Sequence, residues 1–127
     1  MTKIFITGHK GFIGSYLLKF LEKDYQIITI DKKISKIDPG NLNNLEKSNI
    51  VIHAAANTNI QKSWENSDEF YQDNIFSTKS IIDYCLKHDS TLIYISSYLY
   101  GNTRVLPTPE TVKLIAMNPY ASSKKEC

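Results

Sequence analysis

Thr7-Gly8-His9-Lys10-Gly11-Phe12-Ile13-Gly14 stands directly behind a short β-branched and aromatic run, Lys3–Thr7, and ahead of an amphipathic segment. Each of the three glycines answers a separate steric need beside a dinucleotide. Gly8 turns the chain sharply out of the strand without a Cβ clash. Gly11 lets the backbone approach a pyrophosphate, and Gly14 lets the next helix pack closely on the sheet. That helix would aim its free N–H groups and the positive end of its dipole at the phosphates. A glycine triplet alone is a weak signal, but here a strand precedes it and a helix follows.

Outward from this loop, strands and helices alternate. Phe12, Ile13, Tyr16, Leu17, Phe20 and Leu21 recur at helical spacing and form one apolar stripe. Residues 26–30 (QIITI) predict a second strand with Asp31 at its C-terminal end, and 42–47 have room only for a short helix. A third strand begins at Ile50 and runs through Ile52 into His53-Ala54-Ala55-Ala56. A longer helix is expected over 68–88, with Ile75, Thr78, Ile82 and Cys85 on its inner side, then a strand over 91–96 (TLIYIS). Asn118-Pro119 predicts an N-cap followed by proline at the first helical position. This order predicts an α/β fold: a Rossmann-like, doubly wound parallel sheet with helices on both faces. Ligands of such sheets bind outside the carboxyl ends of the strands, so the glycine loop, Asp31, the alanine run and Ser96-Ser97 should share one rim.

Composition narrows the function classes. The chain has 127 residues, 42% hydrophobic and 22% charged, with 5 Gly and 4 Pro, which fits one ordered domain. A net charge of +2 without a long basic cluster disfavours a nucleic-acid partner. No apolar stretch approaches the ~20 residues of a membrane helix. Met1 leads straight into the first strand, so no signal segment is expected. Cys85 and Cys127 make no disulfide framework and read as reduced thiols. A cytoplasmic location is the expectation.

Three further groups carry chemistry. Asp31, 17 residues past Gly14, stands near the interval of a ribose-binding acid; its carboxylate would accept from the adenosine 2′-hydroxyl and repel a 2′-phosphate. This favours NAD, while Lys32 and Lys33 beside it keep NADP open. Tyr120 and Lys124, four apart, share one face of a helix. An ammonium next to a phenol lowers the phenol pKa and suits it to general acid/base work. Ser96, at a strand tip, would hold a substrate hydroxyl near that tyrosine. His53 is read as capping a buried strand; with no second ligand at suitable spacing, no metal site is expected. Cys85 reads as core, and Trp64 and the eight tyrosines as packing.

Taken together, Thr7-Gly8-x-x-Gly11-Phe12-Ile13-Gly14, Asp31, His53-Ala54-Ala55-Ala56, Asn74, Ser96-Ser97-Tyr98-Leu99-Tyr100-Gly101 and Pro119-Tyr120-x-x-x-Lys124 resemble the extended short-chain dehydrogenase/reductase family, the nucleotide-sugar epimerases, dehydratases and reductases. The resemblance runs from Lys3 to Cys127. It implies that the backbone amides of Phe12 and Ile13 meet the pyrophosphate and Asp31 the adenosine ribose. Ala54, Ala55 and Ala56 would line the cofactor, and Asn74 matches the asparagine opening the family's Asn-x-x-Gly-Thr segment. Tyr120 would be the acid/base, Lys124 would hold the nicotinamide ribose, and Ser96 would assist at the substrate hydroxyl. Hydride would pass between nicotinamide and a sugar carbon of a nucleotide-sugar substrate.

Departures from the family pattern sharpen this expectation. Ser97-Tyr98 stands where the 4,6-dehydratases carry Asp-Glu, which favours an epimerase or 4-ketosugar reductase. The segment between Asp31 and Ile50 is short, and Asp38 aligns with the acid that contacts adenine. Ser77 replaces a glycine. The chain ends three residues after Lys124, as the Tyr-x-x-x-Lys helix begins, so residues 1–127 are expected to be an NAD(P)-binding domain without its later strands and substrate domain. The alternative expectation is therefore a non-catalytic dinucleotide-binding fragment or remnant. Apolar surface left uncovered would favour homo-oligomers.

Overall fold

The computed structural model describes residues 1–30, 33–34, 37–98 and 105–127. Asp31 and Lys32, and the Leu99-Tyr100-Gly101 portion of the serine motif, lie outside the described residues. Four strands, β1 (Lys3–Thr7), β2 (Gln26–Thr29), β3 (Ile50–His53) and β4 (Thr91–Tyr94), form one parallel sheet in the order β2-β1-β3-β4. The chain moves from β1 to β2 on one side and then to β3 on the other. The crevice where strand order reverses therefore opens between the ends of β1 and β3, beside Gly8 and Ala54.

Alternation along β1 divides the core between the two faces of the sheet. Phe5 points one way, with Ile28, Val51, Ile81, Tyr84 and Cys85, and its ring meets Tyr84 edge-on at 5.4 Å. Ile4 and Ile6 point the other way, with Ile52, against Leu17 and Leu21 of helix α1 (Phe12–Leu21). The helices thus flank both faces, as the alternating pattern predicts. Among the described residues, no helix is long and apolar enough to cross a membrane.

Several details depart from the sequence expectations. Of the α1 stripe, only Leu17 and Leu21 reach the core; Phe12, Tyr16 and Phe20 are 81%, 66% and 74% exposed. An apolar row at helical spacing identifies the helix but not how many of its rows the sheet can cover. The short helix expected over 42–47 is instead α2 (Pro39–Leu42), because the Asp38 carboxylate caps it, accepting from the Asn41 backbone N–H at 2.9 Å with Pro39 at the first turn. Helix α3 (Ile60–Glu65), capped by Asn59, is an addition.

The helix expected over 68–88 is a continuous helical run in three parts: α4 (Ser67–Tyr71), a π-helical turn (Gln72–Phe76) and α5 (Ser77–His88). Ile81 is fully buried and Ile82 is 38% exposed, whereas Thr78 and Cys85 stay inside as expected. The predicted second and fourth strands each end early, at Thr29 and Tyr94. Helix α6 (Pro119–Glu126) begins as predicted: Asn118 Oδ1 accepts from the Ala121 N–H at 2.7 Å.

His53 ties the ends of β1 and β3 to α5. Its Nδ1 lies 2.7 Å from Thr7 Oγ1 and its Nε2 3.1 Å from Thr78 Oγ1, and Thr7 Oγ1 also accepts from the Ala55 N–H at 3.2 Å. A neutral imidazole donates at one nitrogen and accepts at the other, so either tautomer satisfies both threonines. Burial first, and the positive charge of Lys124 second, hold the His53 pKa down at about 4. The unfolded chain therefore binds a proton near pH 6.5 that the folded chain refuses until about pH 4. Stability should fall by on the order of 3 kcal/mol as pH drops through this window. Urea denaturation of the protein and of His53→Gln at pH 7, 5.5 and 4 measures it; an equal acid loss in both proteins assigns that loss elsewhere.

Candidate functional site

Where β1 ends, two backbones come closer than any side chain permits. Gly8 has φ +70°, and a Cβ on it would lie 2.7 Å from the Ala55 nitrogen at the exit of β3. A Cβ on Gly14 would lie 2.1 Å from the Gly8 carbonyl oxygen. The glycine at the helix start thus packs against the loop that precedes it. Helix α1 has Gly11 as its N-cap, with no side-chain cap among the described residues and no acidic residue in its first turn. Its leading N–H groups and positive dipole end therefore remain available to an anion. Bare backbone, an uncapped helix start and the adjacent Ala54-Ala55-Ala56 strand exit fit a dinucleotide pyrophosphate. Gly8, Gly11 and Gly14 meet at this crevice with Ala54 and Ala55, and Phe12 and Ile13 open α1 beside them; Asp31 lies outside the described residues.

Asn74 sits in the middle of the π-helical turn and is almost fully buried. Its Oδ1 accepts from the Asn57 N–H at 2.7 Å, while its Nδ2 donates to the Asn57 carbonyl at 3.2 Å and to Ser123 Oγ at 2.8 Å. Ser123 in turn donates to the Tyr120 carbonyl at 2.8 Å. The Cys127 thiol reaches the carbonyls of Ser123 at 3.1 Å and Asn74 at 3.5 Å. One asparagine therefore fastens α6 to the loop after β3, through its side chain and its own carbonyl. Asp73 beside it accepts from Asn57 Nδ2 at 3.2 Å, and burial pushes its pKa up.

The two acid/base candidates lie on the inward side of α6, Tyr120 at 8% and Lys124 at 5% exposure. The Lys124 ammonium donates to the Ile95 carbonyl at 2.9 Å, one residue before Ser96, and stands 4.1 Å from the centre of the Tyr94 ring. Burial lowers its pKa to about 8, partly opposed by the Cys127 thiol one turn on. The end of β4 and the Tyr-x-x-x-Lys helix thus meet through Lys124. Ser96 itself is exposed and faces a groove of about 450 Å³ walled by Ser97, Tyr98, Thr108, Pro109, Glu110 and Leu114 among others. Tyr120 and Lys124 lie outside those walls among the described residues.

On the α5 side, a cavity of about 310 Å³ opens between Ile34, Ile37 and Asp38 and the residues Asp73, Phe76 and Ser77. Asp38 is thus at a cavity wall while also capping α2. Three contributors went unread in the sequence: Asn57, Ser123 and Tyr94. Ser123 had a local signal, lying one helical turn after Tyr120 on the face that Lys124 shares. Asn57 and Tyr94 become visible only once strand ends and helices are placed.

Comparison with known proteins agrees with this arrangement. A Dictyostelium discoideum dTDP-D-glucose 4,6-dehydratase is 31% identical over 96% of this chain and 38% of its own length. The solved UDP-Glc/GlcNAc 4-epimerase of Campylobacter jejuni superposes with a TM-score of 0.84 at 26% identity, over 98% of this chain and 46% of that one. RMD from Pseudomonas aeruginosa, complexed with NADPH, gives a TM-score of 0.84 at 27% identity, over 98% and 46%. This chain thus spans less than half the length of these relatives. With the glycine loop, the strand-end crevice and α6 all inside a family match that runs from residue 4 to residue 126, the chain belongs to the NAD dependent epimerase/dehydratase family.

Proposed function

We propose that this chain binds NAD along the carboxyl rim of its sheet and carries on α6 the acid/base pair of a nucleotide-sugar epimerase or 4-ketosugar reductase. The observation that carries this reading is the meeting of Lys124 with the carbonyl just before Ser96. That contact brings the acid/base helix to the same rim as the glycine crevice.

The role of each residue follows from its place. Gly8, Gly11 and Gly14 keep the crevice clear of side chains, and the N–H groups of Phe12 and Ile13 hold the pyrophosphate. Asp31 accepts from the adenosine ribose, and Ala54, Ala55 and Ala56 form the floor. The cavity beside Asp38 receives the adenine. Asn74 borders the cofactor while fastening α6. Nicotinamide held there would supply hydride exchange with a sugar carbon. Tyr120 moves the hydroxyl proton of that carbon, Ser96 holds the same hydroxyl, and Lys124 holds the nicotinamide ribose and stabilises the tyrosinate. Ser97-Tyr98, in place of a carboxylate pair, argues against elimination of water.

A second reading is favoured by the share of relatives covered: residues 1–127 act as a dinucleotide-binding domain without substantial turnover, their sugar-selecting partner structure lying elsewhere in such enzymes. Under it, the exposed apolar row of α1 (Phe12, Tyr16, Phe20) favours self-association.

Calorimetric titration with NAD and with NADP tests the shared core of both readings. NAD should bind more tightly than NADP, and Asp31→Ser should narrow the gap by roughly tenfold, the value of one charge-assisted hydrogen bond. Absence of binding by either cofactor to the folded chain defeats both readings. Affinity should also weaken as pH rises through about 8, because the folded-state Lys124 loses its proton there.

Turnover of nucleotide sugars separates the two readings. If it is measured, Tyr120→Phe should reduce it by about 10²–10⁴-fold and leave NAD binding unchanged, the signature of a lost proton-transfer group. Retained turnover in the phenylalanine variant would remove Tyr120 from the mechanism. No turnover by the parent chain, with NAD bound, selects the second reading.

A further inference from the structure

We infer that Tyr94 is a positioning residue that holds Lys124 in its charged form and aims it at the strand-end rim through the face of its ring. The inference rests on the role proposed above for Lys124, and Tyr94 lies outside every motif from which that role was read.

The geometry grips Lys124 at both ends. The ammonium stands 4.1 Å from the Tyr94 ring centre, within the range of a cation–π contact, and donates to the Ile95 carbonyl at 2.9 Å. The Tyr94 hydroxyl donates to the Lys124 backbone carbonyl at 3.3 Å. Ring and hydroxyl thus fix the head and the root of one side chain, and α6 cannot turn about its axis without breaking one of them.

The charges around this ammonium explain why it needs the ring. No carboxylate is among the contacts found for Lys124 among the described residues. From β3, His53 faces it as a neutral imidazole, its own proton affinity depressed partly by Lys124. From α6, Tyr120 shares its face and the Cys127 thiol lies one turn on. Burial disfavours the ammonium and Cys127 opposes this in part, so the electron-rich ring face and one carbonyl are the contacts that help keep it charged. A carboxylate in their place would keep the lysine charged but cancel the field that stabilises a neighbouring phenolate. An aromatic ring holds the cation and leaves its charge available.

The test is the titration of Lys124 followed by NMR of ¹³Cε-labelled lysine in the 127-residue chain, its resonance assigned by its loss in Lys124→Met. The parent protein should titrate near the depressed value of about 8. Tyr94→Phe keeps the ring and should leave the midpoint nearly in place. Tyr94→Leu fills similar space without the π face, and the midpoint should fall by roughly one pH unit. A purely space-filling role predicts the opposite sign, because a looser site admits water and raises the midpoint. An unchanged or raised midpoint in Tyr94→Leu therefore overturns the inference.

Should the leucine variant not fold, phenylalanines of increasing ring fluorination at position 94 serve instead, since fluorine drains the ring face while keeping its shape. The midpoint should fall stepwise with fluorine number, and a flat series also overturns the inference. In the same variants, the pH at which NAD affinity weakens should fall with the Lys124 midpoint. A Lys124 midpoint that moves while the NAD profile stays fixed upholds Tyr94 as its holder and instead counts against Lys124 as a cofactor contact.

Discussion

Two pieces of backbone meet at the end of β1 with no room for a side chain between them, and the position of everything else at the rim follows from that contact. Gly8 lies so close to the Ala55 nitrogen that a single methyl would force β1 and β3 apart. Gly14 presses α1 onto the Gly8 carbonyl in the same way. This brings the start of α1, the exit of β3 and the Thr7–His53–Thr78 hydrogen bonds into one cluster. In the proposed function the closeness serves binding as well as packing, because backbone N–H groups hold a pyrophosphate best where side chains do not intervene. A larger residue at Gly14 has no relaxed alternative, since its neighbours are backbone atoms that cannot turn away.

The other half of the rim is assembled by polar contacts. Helix α6 has eight residues, and apart from Tyr120 and Ala121 its buried members are Ser123 and Lys124. Such a helix is too short to stand alone in water. Its place is set by Asn118 at its start, by Asn74 through Ser123 in the middle, and by the Cys127 thiol at its end. Hydrogen bonds are directional where apolar packing is not, so these contacts fix rotation about the helix axis as well as distance. The π-helical turn that carries Asn74 belongs to the same arrangement: the widened turn sets the asparagine inward against α6.

What could be read from the sequence divides along physical lines. Strand centres, the alternation of elements, the glycine turn and the Asn118 cap depend on a few neighbouring residues, and all appear in the structure. On α5, Ile81 rather than Ile82 completes the inner face with Thr78 and Cys85, because both spacings fit a helical stripe and only the packed sheet chooses between them. Residues 42–47 look helical by composition, yet the Asp38 cap with Pro39 starts the helix earlier and ends it at Leu42. In α1, the stripe holds more apolar residues than the sheet covers, since periodicity identifies a face without saying what meets it. At the site, residue type and spacing pointed to Tyr120 and Lys124. They are silent on Asn57, which bonds Asn74, and on Tyr94, which reaches Lys124 from another element.

Lys124 shows how the rim reconciles two opposed demands. A phenol that must lose a proton near neutral pH is helped by a cation close by, and that help is strongest where water is excluded. Excluding water, however, drives the cation toward its neutral form, which is the direction in which its pKa has moved. A carboxylate partner would keep the lysine charged and cancel its field. A second cation would suppress it further, and His53, the nearest titratable ring from β3, avoids this by remaining neutral above about pH 4. A carbonyl oxygen and an aromatic face satisfy the ammonium without adding formal charge of their own. The buried lysine therefore retains a proton at neutral pH, and in the proposed function its charge acts on the residue one helical turn away, Tyr120.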